Sequence, residues 1–473
     1  MTPSTAGPDR RVAGLVLAAG LGTRMRSRRP KVLHELCGHP MLGWVLDAWS
    51  GVDAAAEPVV VLSPSTAEAV GALVAPARVA IQAVPVGTGD AVIAGLAALP
   101  LDCAEVVVLS GDTPLVGPAQ IAAVIEQRRL DDAAIALASV DAADPGELGR
   151  IVRSEFDSVE RIVEARDATE DELEGSEVNA GLYAFDAAWL RRRIGDLAPS
   201  DTSGELYLTE LVRLAREDGR IVSAVVFDDD GTFDGINDRA QLARAEWALR
   251  VRINERHLRE GVTMRDPSTV YLDRSVALAP DVTLEPNVVL RGATTVATGA
   301  LIGPSATIVD SAIGEGARIW ASVVESAVVE AGATVGPFAH LRPGSHVGPG
   351  AEIGNFAEVK NSRLGAGVKQ HHMSYLGDAD IGPGTNVGAG TITANFDGVR
   401  KLRTTVGAGA FLGVDTMLVA PVTVGDGART GAGAVVTKDV RPGKLAVGVP
   451  ARIREPRRRP SDGGTGEPAE GPA

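Results

Sequence analysis

The sequence predicts two folded units in series, an α/β unit followed by a parallel β-helix. Three observations predict this. Up to about Asn237, short apolar runs of strand length alternate with helical stretches, the pattern of a mostly parallel sheet covered on both faces. From about Gly261, apolar residues recur six apart, often followed by Gly, and a six-residue period is the signature of a parallel β-helix. The chain has 473 residues, 55 Gly and only 4% aromatics. That is too long for one ordinary core and rich in turns.

In the first unit Val12–Ala19 reads as a buried strand, and Val59–Leu62, Val79–Gln82 and Val106–Ser110 read similarly. Met41–Trp49 and Asp90–Ala98 read as helices between them. Residues 238–260 are charged and amphipathic with no Gly or Pro until the stretch ends, which predicts a rigid linker helix. The hexapeptide phase is clearest at Val335-Gly336, Leu341, Val347-Gly348, Ile353-Gly354 and Val359. It resumes at Ile381-Gly382 and Val387-Gly388, then at Val406-Gly407, Leu412-Gly413, Leu418 and Val424-Gly425, and weaker copies begin near Val282. Each repeat supplies one short face of a triangular coil, so the apolar residue points inward. Gln370–Leu376 and Thr391–Thr405 break the period and are expected to be loops that leave the coil. The division expected is a disordered N-terminus at 1–10, an α/β unit at 11–237, the linker helix at 238–260, a β-helix at 261–454 and a disordered tail at 455–473.

A net charge of −15 disfavours nucleic acid and anionic membranes as partners, so a phosphate ligand requires a local basic or backbone site. Cys37 and Cys103 are the only cysteines and form no paired motif, which suits a reducing cytoplasm. Residues 1–10 lack the apolar core of a signal peptide, and no apolar run is long enough to span a membrane.

The strand Val12–Ala19 runs into Gly20-Leu21-Gly22-Thr23-Arg24-Met25, with Pro30-Lys31 shortly after. The glycines let backbone N–H groups close around phosphates, and Arg24 and Lys31 add positive charge to the same loop. The string resembles the sugar-phosphate nucleotidyltransferases. Continued as PKVLHELCGHPM and followed by hexapeptide repeats, it is similar to the bifunctional bacterial N-acetylglucosamine-1-phosphate uridylyltransferase/glucosamine-1-phosphate acetyltransferases, from roughly Val12 to Val449. That resemblance implies a Rossmann-like mixed sheet for the nucleotidyltransferase unit and a left-handed coil for the β-helix. It also implies a homotrimer with acetylation sites at the subunit seams.

The resemblance assigns UTP and UDP-N-acetylglucosamine contacts to Leu17, Ala18, Ala19, Gly20, Lys31, Gln82, Gly87, Thr88, Ser110, Gly111 and Asp112. Gln82 matches a uracil-reading glutamine. Gly149, Glu164 and Asn179 match the positions that hold the N-acetylglucosamine moiety. Asp112 and Asn237 match the Mg2+ ligands, a plausible set because Mg2+ takes its remaining ligands from water and phosphate. The implied chemistry is in-line attack of a sugar phosphate oxygen on the α-phosphorus of UTP, with Arg24 and Lys31 as catalytic cations. The chain departs from the pattern at Pro85, where a polar residue is frequent, at Asp90, where His is expected, and at Ala180, where Thr is common.

In the second unit His372 and Tyr375 match the family's His-x-x-Tyr spacing. His372 is then the general base that takes the amine proton, a task suited to a side chain titrating near ~6.5. Tyr375, Asn386, Arg342 and Lys360 match contacts to glucosamine 1-phosphate, and two cations on neighbouring coils suit its phosphate. Ala389, Asn395, Phe396, Val414 and Ala432 match the acetyl-CoA pocket, with Lys401 nearby. Val414 stands where Ser is usual, Phe396 where Tyr is usual, and Val449 in the register of a C-terminal Arg for which Arg452 or Arg454 could substitute. Three other readings compete: a single-function pyrophosphorylase with a structural or regulatory β-helix, a non-enzymatic regulatory subunit, and a hexapeptide metalloenzyme taking three ligands from His340, His346, His371 and His372.

Overall fold

The computed structural model describes residues 11–455 apart from Leu21, Ala54, Ala75 and Pro76. The expectations of disorder at 1–10 and beyond Glu455 lie outside the described residues. Contacts divide the chain into one unit up to Leu249 and another from Arg250, the division falling within a helix that spans Arg239–Arg259.

The first unit is built on a mixed sheet. Its main path runs from Val222–Phe227 through Ile135–Asp141, Glu177–Asp186, Glu105–Ser110, Val12–Leu17 and Val59–Leu62 to Arg78–Ile81. Val12–Leu17 lies parallel to both its neighbours, Glu105–Ser110 and Val59–Leu62. Glu177–Asp186 is antiparallel to both of its own, a reversal that the run of parallel signals did not reveal. Alternate residues feed two cores. Ala13, Leu15, Val106 and Val108 pack beneath Val92, Trp189 and Leu211. Val12, Val16, Val107 and Leu109 pack against Leu42, Val45, Trp49 and Ile121. A central strand buried on both faces has no place for polar alternation, which is why it reads as a continuous apolar run.

The second unit is a coil of short parallel strands stacked in three sheets. Leu341, Val359 and Leu376 follow one another up one inner face, all fully buried. The ladder starts earlier than the clear repeats, at Thr263–Met264, which pairs with Thr283–Leu284. Polar residues at inward places hide the period at both apparent breaks. Gln370 occupies an inward, fully buried place, where its amide donates to Ser374 Oγ at 3.1 Å. The chain therefore stays in register, with Lys369 beside Glu352 and Tyr375 beside Glu358. The expected loop at Gln370–Leu376 is instead an ordinary corner. Thr393 is likewise buried, its hydroxyl accepting from Gly377 N at 2.8 Å and donating to Gly377 O at 3.0 Å. Ile392–Ala394 accordingly belongs to the ladder. The true excursion is the shorter stretch from Asn395 to Arg403, pinned by Leu402 N donating to Asn395 O at 2.7 Å.

A coil with this inner stack should be sensitive to truncation. Leu376→Ala is expected to cost about 2–5 kcal/mol, the range for a buried leucine that leaves a cavity. Chemical denaturation of wild type and variant checks it.

Candidate functional sites

The first candidate site forms where Val12–Leu17 and Glu105–Ser110 end side by side, in the crevice beyond the carboxyl ends of the strands. Gly111 eases the close approach here, because a Cβ would stand a tight 3.0 Å from both Leu17 O and Ala18 Cβ. Two cavities of about 300 and 310 Å³ share Leu17, Thr88, Ser110 and Asp112 in their walls. The first is also lined by Ala18, Ala19, Gly20, Lys31, Gln82, Pro85 and Gly87. The second is lined by Gly149, Glu164, Asn179 and Ala180. The residues assigned to nucleotide and to sugar thus sit on adjoining sides of one junction.

At that junction Lys31 Nζ donates to Asp112 Oδ2 at 2.5 Å and to Asn237 Oδ1 at 3.1 Å. One carboxylate and one amide oxygen therefore converge on a single cation, and both are hard donors of the kind Mg2+ takes. Gly235 packs against the same pair, its absent Cβ 3.8 Å from Asn237 Nδ2 and 4.0 Å from Asp112. The donor set fits a divalent cation completed by phosphate and water. Among the described residues no group of three or more His, Cys, Asp or Glu could hold a metal. Arg24 is not part of this cluster. It is exposed on the turn Thr23–Met25, with Nη1 4.0 Å from Glu147, a residue of the sugar-side wall. Leu21 of the phosphate loop lies outside the described residues.

On the sugar side Asn179 N donates to Gly149 O at 2.8 Å. Glu164 accepts from Thr209 Oγ1 at 2.9 Å. Burial pushes the Glu164 carboxyl above its ordinary range, against the Thr209 hydrogen bond and with help from Asp167 and Glu205. Burial likewise raises the Tyr183 phenol in the same wall. The structure adds a clamp that sequence reasoning missed. Gly89 N donates to Leu206 O and Leu206 N to Val86 O, both at 2.8 Å. A Cβ on Gly87, whose φ is +125°, would stand 2.4 Å from Leu206 O. Residues 205–209 carry no local motif, so only their distant pairing could have found them.

The second candidate site lies on the β-helix. Arg342 and Lys360 stand on consecutive coils, and Tyr375 follows on the next. Arg342 Nη1 donates to Glu358 at 2.8 Å. Lys401, carried by the excursion, faces Lys360, and this neighbouring ammonium pushes Lys360 below the ordinary lysine value. Such crowding of cations favours an anion between them. Burial opposes ionisation of Asp378. Hydrogen bonds from Asn361 at 2.6 Å and Asn395 at 2.5 Å, with Lys360 and Lys401 nearby, bring its carboxyl below its usual range. The Tyr375 ring covers Gly377, where a Cβ would meet the phenol and Asn395 Nδ2.

His372 sits at the corner between two sheets, exposed, with φ +57°, and Met373 follows at +47°. Holding non-glycine residues left-handed costs roughly 1–2 kcal/mol each. The corner is held by Met373 N donating to Asn355 O at 3.0 Å and Gly390 N donating to His372 O at 3.2 Å. The second bond places Ala389-Gly390 one coil above His372. Asp415 N then reaches Ala389 O at 2.7 Å and Gly433 N reaches Val414 O at 2.8 Å. Ala389, Val414 and Ala432 thereby rise in one column from the histidine. Asn386 lies on a different sheet from Tyr375, paired with Lys369 and Phe411. Phe396 is exposed and bridges back to Lys401. Val449 is exposed, and Arg452–Arg454 form an exposed terminal strand. The histidines of the metalloenzyme reading are spread out. His340 and His346 lie on different sheets, bonded to Glu325 and Glu330, and His371 pairs with Glu352 at 3.3 Å.

Comparison with known proteins finds relatives for both units. The MobA-like NTP transferase domain matches residues 14–174, and the bacterial transferase hexapeptide (six repeats) matches 326–361. The protein named bifunctional protein GlmU from Mycolicibacterium vanbaalenii is 43% identical, over 93% of this chain and 90% of its own length. The chain belongs to the GlmU family. The GlmU proteins of Thermobifida fusca and Mycolicibacterium smegmatis are each 44% identical over 93% and 94% of this chain, and 92% and 93% of theirs. With GlmU relatives matched over nearly their whole length, both units are accounted for: an α/β nucleotidyltransferase unit with a mixed sheet, then a left-handed β-helix of hexapeptide repeats.

The raised Glu164 carboxyl sets a pH dependence. Folding favours its protonated form, so its contribution to stability is fullest below the ordinary value of 4.5 and is lost as pH rises through the raised one. Glu164→Gln, which keeps an oxygen for Thr209, is expected to melt above wild type at neutral pH, the gap closing near pH 4. Melting curves across pH check it.

Proposed function

We propose that this chain makes UDP-N-acetylglucosamine on two separate sites. The β-helix acetylates glucosamine 1-phosphate with acetyl-CoA, and the α/β unit then transfers UMP from UTP to N-acetylglucosamine 1-phosphate, releasing pyrophosphate. The observation that carries this reading is the convergence of Lys31, Asp112 and Asn237 between two adjoining cavities.

In the α/β unit Asp112 and Asn237 would hold Mg2+, which would supply neutralisation of phosphate charge. Lys31 turns from those two oxygens to the triphosphate, and the backbone of Leu17 to Gly20 lines its path. Gln82 takes the base, while Gly149, Glu164 and Asn179 take the sugar. No protein nucleophile is required: positioning and charge neutralisation suffice for in-line displacement. Arg24 acts from the exposed turn when ligands draw it inward.

On the β-helix Arg342, Lys360 and Lys401 hold the sugar phosphate, and Tyr375 and Asn386 hold the sugar. His372 takes the amine proton as nitrogen attacks the thioester carbonyl, and CoA leaves as the thiol. Ala389, Val414 and Ala432 offer a small-residue column for acetyl-CoA beside Asn395 and Phe396. We assign a homotrimer, supported by the exposed Phe338 and Phe356, stacked 5.6 Å apart near the His372 corner. The reaction is assigned to the cytoplasm. Cys37 and Cys103 are both buried and form no disulfide, and among the described residues no helix is long and apolar enough to cross a membrane.

Each half-reaction assayed separately tests this. His372→Ala is expected to lower acetylation about 10²–10⁴-fold, the range for a general base, and to leave uridylylation intact. Asp112→Ala is expected to do the reverse. Loss of both activities in either variant, or CoA release unaffected by His372→Ala, would refute the two-site assignment.

A further inference from the structure

Gln82 is held in one orientation by two acceptors. It is buried at 3% exposure, and its Nε2 donates to Gly87 O at 3.0 Å and to Asp90 Oδ2 at 2.8 Å. A backbone carbonyl and a carboxylate can only accept, so the NH2 end of the amide must face them. A glutamine amide has two N–H donors and one oxygen. With both donors engaged, Gln82 has only Oε1 left to offer the cavity whose wall it forms. Asp90 itself is fixed, because it lies in the first turn of the helix Thr88–Leu96, where the helix dipole favours a carboxylate. The Leu206 clamp holds the start of that helix.

From this we infer that Asp90, a residue at which the chain departs from the family pattern, sets nucleobase choice by fixing the polarity of Gln82. The inference rests on the uridylyl transfer proposed above. A lone acceptor in the base cavity pairs with a base that carries an N–H at its pairing edge, as uracil does at N3. Cytosine presents a bare nitrogen at that position, and its lone pair would face the Gln82 oxygen. Asp90 touches no substrate in this scheme and acts as a positioning residue through Gln82.

The test is kcat/KM of the full chain for UTP and for CTP, with N-acetylglucosamine 1-phosphate and Mg2+. Wild type is expected to use UTP and reject CTP. In Asp90→Asn the new amide can donate as well as accept, so one of the two restraints on Gln82 is lost and only Gly87 O still opposes its turning over. The UTP-to-CTP ratio is then expected to fall by at least about tenfold, the effect of one mispaired buried hydrogen bond. Asp90→His, whose bare ring nitrogen still accepts, is expected to keep the wild-type ratio. Asp90→Ser, with a hydroxyl that both donates and accepts, repeats the test should the Asn variant not fold. An unchanged ratio in the Asn and Ser variants overturns the inference. So does an equal loss of both nucleotides in every variant, which would mark a purely structural role. A wild type that turns over neither nucleotide would instead sink the uridylyltransferase reading, and this inference with it.

Discussion

The Lys31 ammonium holds Asp112 and Asn237 together across 81 and 206 residues of sequence. Opposite charges this close and this sheltered attract strongly, because little water is present to screen them. The bond draws the phosphate loop, the end of a central strand and the approach to the helix Arg239–Arg259 to one point. The two adjoining cavities take their shared wall from that point. On the proposed function, a phosphate ligand would meet a cation already largely desolvated and two oxygens already aimed, with little reorganisation left to supply.

The β-helix solves a different problem. It has no single junction, only a ladder in which each strand is held by the one above and below. Function there comes from stacking. Arg342, Lys360 and Tyr375 stand on successive coils because the strands share a register. Ala389, Val414 and Ala432 rise above His372 because corner residues stack as strictly as inner ones. The excursion after Ala394 adds Lys401 to the cation cluster without disturbing the ladder.

How legible all this was depends on range. The apolar runs and the six-residue period are local, and they gave both architectures and, of the nine strands in the first unit's main sheet, the four that lie side by side around Val12–Leu17. The period misled where Gln370 and Thr393 took inward places, since a polar side chain at an inward position looks in sequence like a break. The reversed strand Glu177–Asp186 was invisible because parallel and antiparallel neighbours draw on the same residues. The clamp from Leu206 and the bond from Thr209 to Glu164 were missed because nothing near them in sequence signals a ligand.

By itself the sequence determined the two folds, the phosphate loop and the identities of the charged groups, since periodicity and residue chemistry are written along the chain. Only the tertiary structure decided which of those groups meet. It set Lys31 between Asp112 and Asn237, left Arg24 outside with Glu147 and gave His371 to Glu352. It also turned Gln82 by means of Asp90. Each of these depends on hydrogen-bond polarity and on distances between segments far apart in the chain, and neither is written in local order.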